Sequence, residues 1–165
     1  MPAGAGRPSI SVVICCFTEA RWELLLSGIA SVRAQTFRPE QLVVVVDHNT
    51  DLYRRLSLYG RLTGALTGVE TVENSGPPGL SGARNTGVAA ATGDIVAFLD
   101  DDAEAAPDWL ARLVLMYEDP DVLAVGAGLN PCGNRVVRRT SLKSLIGLSG
   151  APIRDCPESR RRCVT

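Results

Sequence analysis

Short β-branched apolar runs alternate with segments of helical period along the first 120 residues, and three of the runs end in polar clusters. Residues 10–17 read as a strand buried on both faces, and residues 42–46, four valines after a leucine, as a second. Between them Trp22, Leu25, Leu26, Ile29 and Val32 recur at a 3.6-residue period, which predicts a helix over 21–35. A helix over 51–62 and a weaker strand over 69–73 follow. Residues 74–82 are rich in glycine and proline and read as a loop. Residues 83–91 form a short helix of small residues, able to pack close to a sheet. Residues 94–99 are the fourth strand and run straight into Asp100-Asp101-Asp102. Pro107 suits the first turn of a helix whose inner face is Trp109, Leu110, Leu113, Val114 and Tyr117. A fifth strand, 121–125, ends in Gly126-Ala-Gly128. This order implies an α/β, Rossmann-like, mainly parallel sheet with helices on both faces. Ligands in such sheets bind beyond the carboxyl ends of the strands. Thr18-Glu19, Asp47-His48-Asn49 and Asp100-Asp101-Asp102 all fall at those ends and are expected to form one site.

At 165 residues, 45% apolar and 21% charged, the chain has the size and composition of one globular domain. That excludes disordered, collagen-like and coiled-coil chains. No apolar run approaches the roughly 18 residues of a membrane span. The net charge of -1 gives no argument for a nucleic-acid partner. The charge is unevenly placed. Residues 1–131 hold nine arginines against sixteen acids, whereas residues 132–165 hold eight basic residues against two acids. A domain over 1–131 followed by an atypical basic tail over 132–165 is the expected organisation. The tail shows no clear strand, reads as irregular with one modest helical segment at 141–148, and is expected to be a truncated or altered end. Five cysteines without a CxxC, and His48 as the lone histidine, give no disulfide framework and no zinc spacing. Cys15 and Cys16 read as small buried residues. A cytoplasmic setting is expected, with no leader peptide; the basic tail is the one feature that suits association with a membrane surface.

Three adjacent carboxylates repel one another unless a cation offsets them. At the end of a buried strand they suit a hard divalent ion, magnesium or manganese, completed by substrate phosphate and water. Residues two apart leave a strand on one side, so Asp100 and Asp102 can serve one ligand together. The plainer alternative is a solvated acidic turn that caps the next helix. Asp47 can accept from a base N–H or a ribose hydroxyl, or simply turn the chain. His48 beside it can stack or hydrogen-bond, or be structural. Arg84, at the start of a helix after a glycine-rich loop, suits phosphate or a surface ion pair. GxxxxGK[ST] is absent, and position 131 is proline where GxGxxG needs glycine, so neither phosphate-binding fingerprint is present.

Six segments occur in order: Ser11-Val-Val-Ile-Cys-Cys-Phe-Thr-Glu19, Ser31-Val-Arg-Ala-Gln-Thr36, Val44-Val-Val-Asp-His-Asn49, Gly82-Ala-Arg-Asn-Thr-Gly87, Phe98-Leu-Asp-Asp-Asp102 and Pro107-Asp-Trp-Leu110. Together, over about residues 9–131, they resemble the donor half of a family 2 glycosyltransferase of GT-A fold. The resemblance implies a nucleotide-sugar donor, a divalent metal, and inverting transfer to an acceptor of unspecified kind: saccharide, lipid-linked or small molecule. By position Phe17, Thr18 and Glu19 match the nucleoside pocket. Asp47 and His48 match an acidic pair that contacts the base, and Arg84 a basic residue near the donor. Asp100 and Asp102 match the DxD motif that holds donor and metal, with Asp101 between them among the donor-binding residues.

The chain departs from the family in two places. His48 stands where many members have a second Asp. Family enzymes also carry a catalytic acid and an acceptor-binding half well downstream of DxD, whereas 63 residues follow Asp102 and the tail's acids, Asp155 and Glu158, lie in no family motif. No catalytic base is therefore assigned. The alternative function is a non-catalytic nucleotide- or partner-binding remnant. A phosphatase or receiver-like domain is set aside, because those need a supporting lysine and Lys143 in the tail is the sole one.

Overall fold

The computed structural model describes residues 7–118 and, beyond them, three strands at 122–129, 135–141 and 162–164. In chain order the elements are β1 (Ile10–Cys16), a 3-10 turn (Glu19–Arg21), α1 (Trp22–Arg33), β2 (Gln41–Val46), α2 (Thr50–Thr63), β3 (Val69–Glu73), α3 (Leu80–Ala90), β4 (Ile95–Asp100), α4 (Trp109–Met116), β5 (Val122–Leu129), β6 (Arg135–Ser141) and β7 (Arg162–Val164). They form one sheet in the order β3-β2-β1-β4-β7-β5-β6. Only β5 and β6 pair antiparallel.

β1 lies between β2 and β4, with Ile14 opposite Val44 on one side and Leu99 on the other. Ile10, Val12, Val13 and Ile14 are fully buried because both faces of the strand are covered. Ile10, Val12, Ile14 and Cys16 share one core with Trp22, Leu25, Ile29 and Val32 of α1, Leu52 and Leu56 of α2, and Trp109, Leu110 and Leu113 of α4. Val13 points the other way, into a smaller core with Val43, Val45, Val96 and Ala83 of α3. The period-2 alternation of the strand thus sends one run of residues to helices on both faces.

Local signals set the element ends. Asn49 caps α2, its side chain accepting from the Leu52 amide at 3.0 Å, and Gly64 closes the helix at φ +66°. At the amino edge of the sheet, the buried Ser11 hydroxyl donates to Gln41 Oε1 at 2.8 Å and accepts from the Gly93 amide at 2.9 Å. This ties β1, β2 and the start of β4 together. Hydrogen bonds from Ser9 hold the Asp94 carboxyl below its ordinary range.

The fold differs from the sequence reading at its far edge. β5 continues through Gly126-Ala-Gly128 to Leu129, because those glycines are paired with Arg138 to Val136 of β6. Where the tail shows no clear strand, the sheet takes two, β6 and β7. Arginine makes up four of their ten residues and the valines do not alternate with polar residues, so neighbouring strands rather than apolar pattern define them. The helical segment expected at 141–148 lies outside the described residues except for Ser141, which ends β6.

α3 approaches the sheet closely. A Cβ on Gly87 would stand 2.4 Å from Val13 Cγ1 and 3.3 Å from Val45 Cγ2. Val13 is β-branched and fixed in a central strand, so it has little room to yield. Gly87→Val is expected to destabilise the chain by about 2–3 kcal/mol through overpacking, despite replacing a helical glycine. Urea denaturation of the two proteins measures this, and a change below about 0.5 kcal/mol would contradict the packing described.

Candidate functional site

A cleft of about 500 Å³ opens at the carboxyl ends of β1, β2 and β4. Cys15, Cys16 and Phe17 at the end of β1 line it, with Arg21 from the 3-10 turn and Asp47 after β2. Gly79, Leu80 and Ala83 contribute the start of α3, and Asp100, Asp101 and Asp102 the end of β4. Parallel pairing makes this convergence unavoidable, because every strand that ends here delivers its next residue to the same edge.

Asp47 is held from three directions. Its Oδ1 accepts from Asn74 Nδ2 at 2.6 Å and from His48 Nδ1 at 2.8 Å, and its Oδ2 accepts from the Gly79 amide at 2.7 Å. Burial pushes the carboxyl pKa up, but these hydrogen bonds outweigh it and hold the group below its ordinary value. A carboxylate only accepts, so the ring nitrogen that faces it, His48 Nδ1, is the donor of this bond. His48 adopts φ +49°, the left-handed region, in a sharp turn between β2 and α2.

Asn74 links the loop to its surroundings. Its amide also donates to the Pro77 carbonyl at 3.0 Å, while its Oδ1 accepts from the Gly76 amide at 2.9 Å and Thr86 Oγ1 at 2.8 Å. The glycine- and proline-rich loop is thereby fastened to β3, to α3 and to Asp47. Gly82 is needed there, since a Cβ would fall 1.9 Å from the Pro77 oxygen.

Across the cleft, Arg21 Nη1 donates to Asp101 Oδ1 at 2.7 Å and stands 3.3 Å from Asp102 Oδ2. Asp101 is buried and its Oδ2 has no hydrogen-bond partner among the described residues. Its hydrogen bond to Arg21 raises the arginine pKa above the ordinary value. Arg84 Nη2 lies 3.5 Å from Asp100 Oδ1, and its guanidinium sits 5.3 Å from the centre of the Phe98 ring. Burial pushes the Cys15 thiol up to about 11 and the Cys16 thiol to about 12. Both thiols are therefore protonated at neutral pH in the free cleft.

Of the residues singled out in the sequence, Phe17, Asp47, Asp100, Asp101 and Asp102 line the cleft, and His48 and Arg84 touch residues that do. Thr18 and Glu19 are employed otherwise. Thr18 Oγ1 accepts from the Ala20 amide at 3.2 Å and caps the turn, and Glu19 pairs with Arg55 at 3.0 Å. Arg55 in turn lies 4.1 Å over the Trp22 ring. Asp155 and Glu158 lie outside the described residues. Arg21, Asn74 and Gly79 escaped the sequence reading. Asn74 follows β3 as Asp47 follows β2, so the strand-end rule that found Asp47 could have found it. Arg21 carried no such signal.

Asp100 and Asp102 are about 68% and 45% exposed at their side chains and offer hard carboxylate oxygens to the cleft. That donor chemistry fits magnesium or manganese. Among the described residues no group of three His, Cys, Asp or Glu side chains is arranged to hold a metal alone, so further ligands would have to come from a bound molecule and water. No helix of the described residues is long and apolar enough to cross a membrane.

Residues 11–159 match the profile described as Glycosyl transferase family 2. The glucosyl-dolichyl phosphate glucuronosyltransferase of Haloferax volcanii is 40% identical over 123 residues, covering 74% of this chain and 38% of that protein. The mannosyltransferase PcManGT of Pyrobaculum calidifontis, solved in complex with GDP-Man and Mn2+, aligns with a TM-score of 0.61 and 28% identity, covering 74% of this chain and 35% of that one. S. aureus TarS 1-349 in complex with UDP-GlcNAc aligns with a TM-score of 0.54 at 22% identity, a likeness of fold alone, over 72% of this chain and 34% of that one. The chain thus spans little more than a third of the length of these relatives.

The lowered pKa of Asp47 fixes a pH dependence. Its contribution to stability is complete above the unfolded value of 3.8 and is lost as the pH falls through the lower native value. Asp47→Asn removes that titration. The variant is expected to lose stability less steeply than the parent below pH 3.8, with the lowered carboxyl of Asp94 still contributing acid sensitivity. Urea midpoints measured across the acid range check this; parallel slopes would show that the three hydrogen bonds do not favour the ionised carboxyl.

Proposed function

Since the chain belongs to glycosyl transferase family 2, we propose that its cleft binds a nucleotide-sugar donor with a divalent metal and serves sugar transfer to an acceptor. One observation carries this reading. An ionised, three-fold hydrogen-bonded carboxylate, Asp47, and the acidic triad of β4 line the same cleft at the carboxyl edge of a parallel sheet. The GDP-Man and Mn2+ of PcManGT support the same ligand class.

In this reading Asp47 accepts from the nucleoside, through a base N–H or a ribose hydroxyl. Asn74, His48 and the Gly79 amide fix its orientation, so little freedom is lost when the donor arrives. Phe17, 58% exposed at the cleft, offers its ring as an apolar wall for the base. Asp100 and Asp102 would hold the metal, which when bound offsets the charge that builds on a leaving diphosphate. Arg84 places a guanidinium beside Asp100, where it can donate to phosphate oxygens. Cys15 and Cys16 form a neutral floor that adds no competing charge. Inverting transfer also needs a base for the acceptor hydroxyl, and no described residue is assigned that role.

A thermal melt of the chain with UDP, GDP or TDP, each with and without Mn2+, tests the reading. A ligand at a hundred times its Kd stabilises by about 2.7 kcal/mol. For a chain of this size that is a rise of about 5–10 °C. One nucleotide is expected to give this rise with Mn2+ alone as the added metal, and Asp102→Ala to abolish it. A cooperative melt that no nucleotide moves would sink the donor site.

A further inference from the structure

We propose that Arg21 is a resident counter-cation of the acidic triad, pinned to Asp101 and shared with Asp102, so that the cleft takes up a divalent cation only together with a diphosphate. This rests on Asp102 being a metal ligand, as proposed above.

The two contacts of Arg21 differ in kind. Asp101 is 6% exposed, lines the cleft, and has its second oxygen buried without a hydrogen-bond partner among the described residues. Its charge is answered by Arg21 at 2.7 Å. If Arg21 left, a buried carboxylate would stand alone, which is among the costliest states a folded chain can adopt. This contact is an anchor. The second contact, 3.3 Å to Asp102, joins two side chains that are 41% and 45% exposed. Water can replace either partner there, so this contact is weak and exchangeable.

Arg21 therefore remains in the cleft while Asp102 changes partner. A metal that reaches Asp102 alone meets a fixed positive charge beside it and must displace that guanidinium. A metal that arrives with a diphosphate brings compensating negative charge. It also brings oxygens for the guanidinium N–H groups that Asp101 does not use, since an arginine has five donors. The resident cation thus opposes the bare metal and favours the metal–diphosphate pair. Arg84 near Asp100 acts in the same sense but lacks a buried anchor: Asp100 is mostly exposed and the contact is 3.5 Å.

The test is Mn2+ binding to the full chain, read from the electron paramagnetic resonance of free Mn2+. The parent is expected to bind Mn2+ weakly without nucleotide. Arg21→Gln removes the competing charge and should bind Mn2+ alone roughly tenfold more tightly. Because that variant strands Asp101 and can lose its fold, Arg21→Gln with Asp101→Asn is the second variant. It leaves no unpaired buried charge and still removes the cation beside Asp102, so Mn2+ alone should bind about threefold more tightly. Adding Asp102→Asn should erase either gain. Mn2+ affinity that is unchanged or weaker in a folded Arg21 variant overturns the proposal, as does tight Mn2+ binding by the parent without nucleotide. The donor reading fails separately. If no nucleotide stabilises the parent yet the Arg21 variants gain Mn2+ affinity, Arg21 still opposes the bare metal, but the coupling to diphosphate and the donor assignment both fall. If a nucleotide with Mn2+ stabilises the parent yet the variants gain nothing, the donor assignment stands and the counter-cation falls.

Discussion

Everything in this structure depends on β1 being hydrogen-bonded along both edges and covered on both faces. Such a strand has no solvent side, so each of its positions must be apolar or internally paired. Ile10, Val12, Val13 and Ile14 meet the first condition, and Ser11 meets the second through Gln41 and Gly93. Each fully buried aliphatic side chain contributes on the order of 1.5–3 kcal/mol. The helices then have little choice of place. α1, α2 and α4 pack on one face of the sheet and α3 on the other. Parallel neighbours in turn force the polar residues after β1, β2 and β4 to one edge. The cleft is a consequence of the sheet before it is a consequence of any particular site residue.

Two carboxylates in that cleft are held in place by different means. Asp47 accepts from three donors: an amide side chain, a backbone amide and an imidazole N–H. Asp101 is met by a full positive charge at 2.7 Å. The difference matters for what each can do. The three donors fix the orientation of Asp47 and favour its carboxylate form. The guanidinium ties Asp101 to Arg21 and so fixes both side chains at the cleft.

How much of this could be read in the sequence follows from how local each signal is. β1, β2 and β4 announce themselves as β-branched runs, and the face of α1 as a 3.6-residue period, because burial is imposed residue by residue. Asp47 and the triad were legible because they directly follow such runs. Thr18 and Glu19 follow one as well, yet they are taken up by the turn and by Arg55, a partner 36 residues away that no local pattern points to. Arg21 is the opposite case. It lies past the strand in an exposed turn, and it becomes a cleft residue because that turn brings it across to Asp101, 80 positions later. The strand pairing of residues 135–141 escaped for a related reason. Its side-chain pattern is poor, and its place in the sheet is set by β5, whose glycines leave the backbone free to pair.

The glycines of α3 connect these levels. A helix that buries Gly87 against Val13 sits unusually close to the sheet, and that closeness sets where its first turn falls. The first turn carries the Gly79 amide to Asp47, and Gly82 admits the Pro77 carbonyl that Asn74 also holds. Remove the small residues and α3 must stand off the sheet. Asp47 would then lose a backbone donor at 2.7 Å and the loop its link to Thr86. A packing choice in the smaller core therefore reaches the electrostatics of the cleft without any long-range charge being involved. The same helix that satisfies Val13 and Val45 positions the amide that keeps Asp47 an acceptor, and the two requirements are met by one run of small residues.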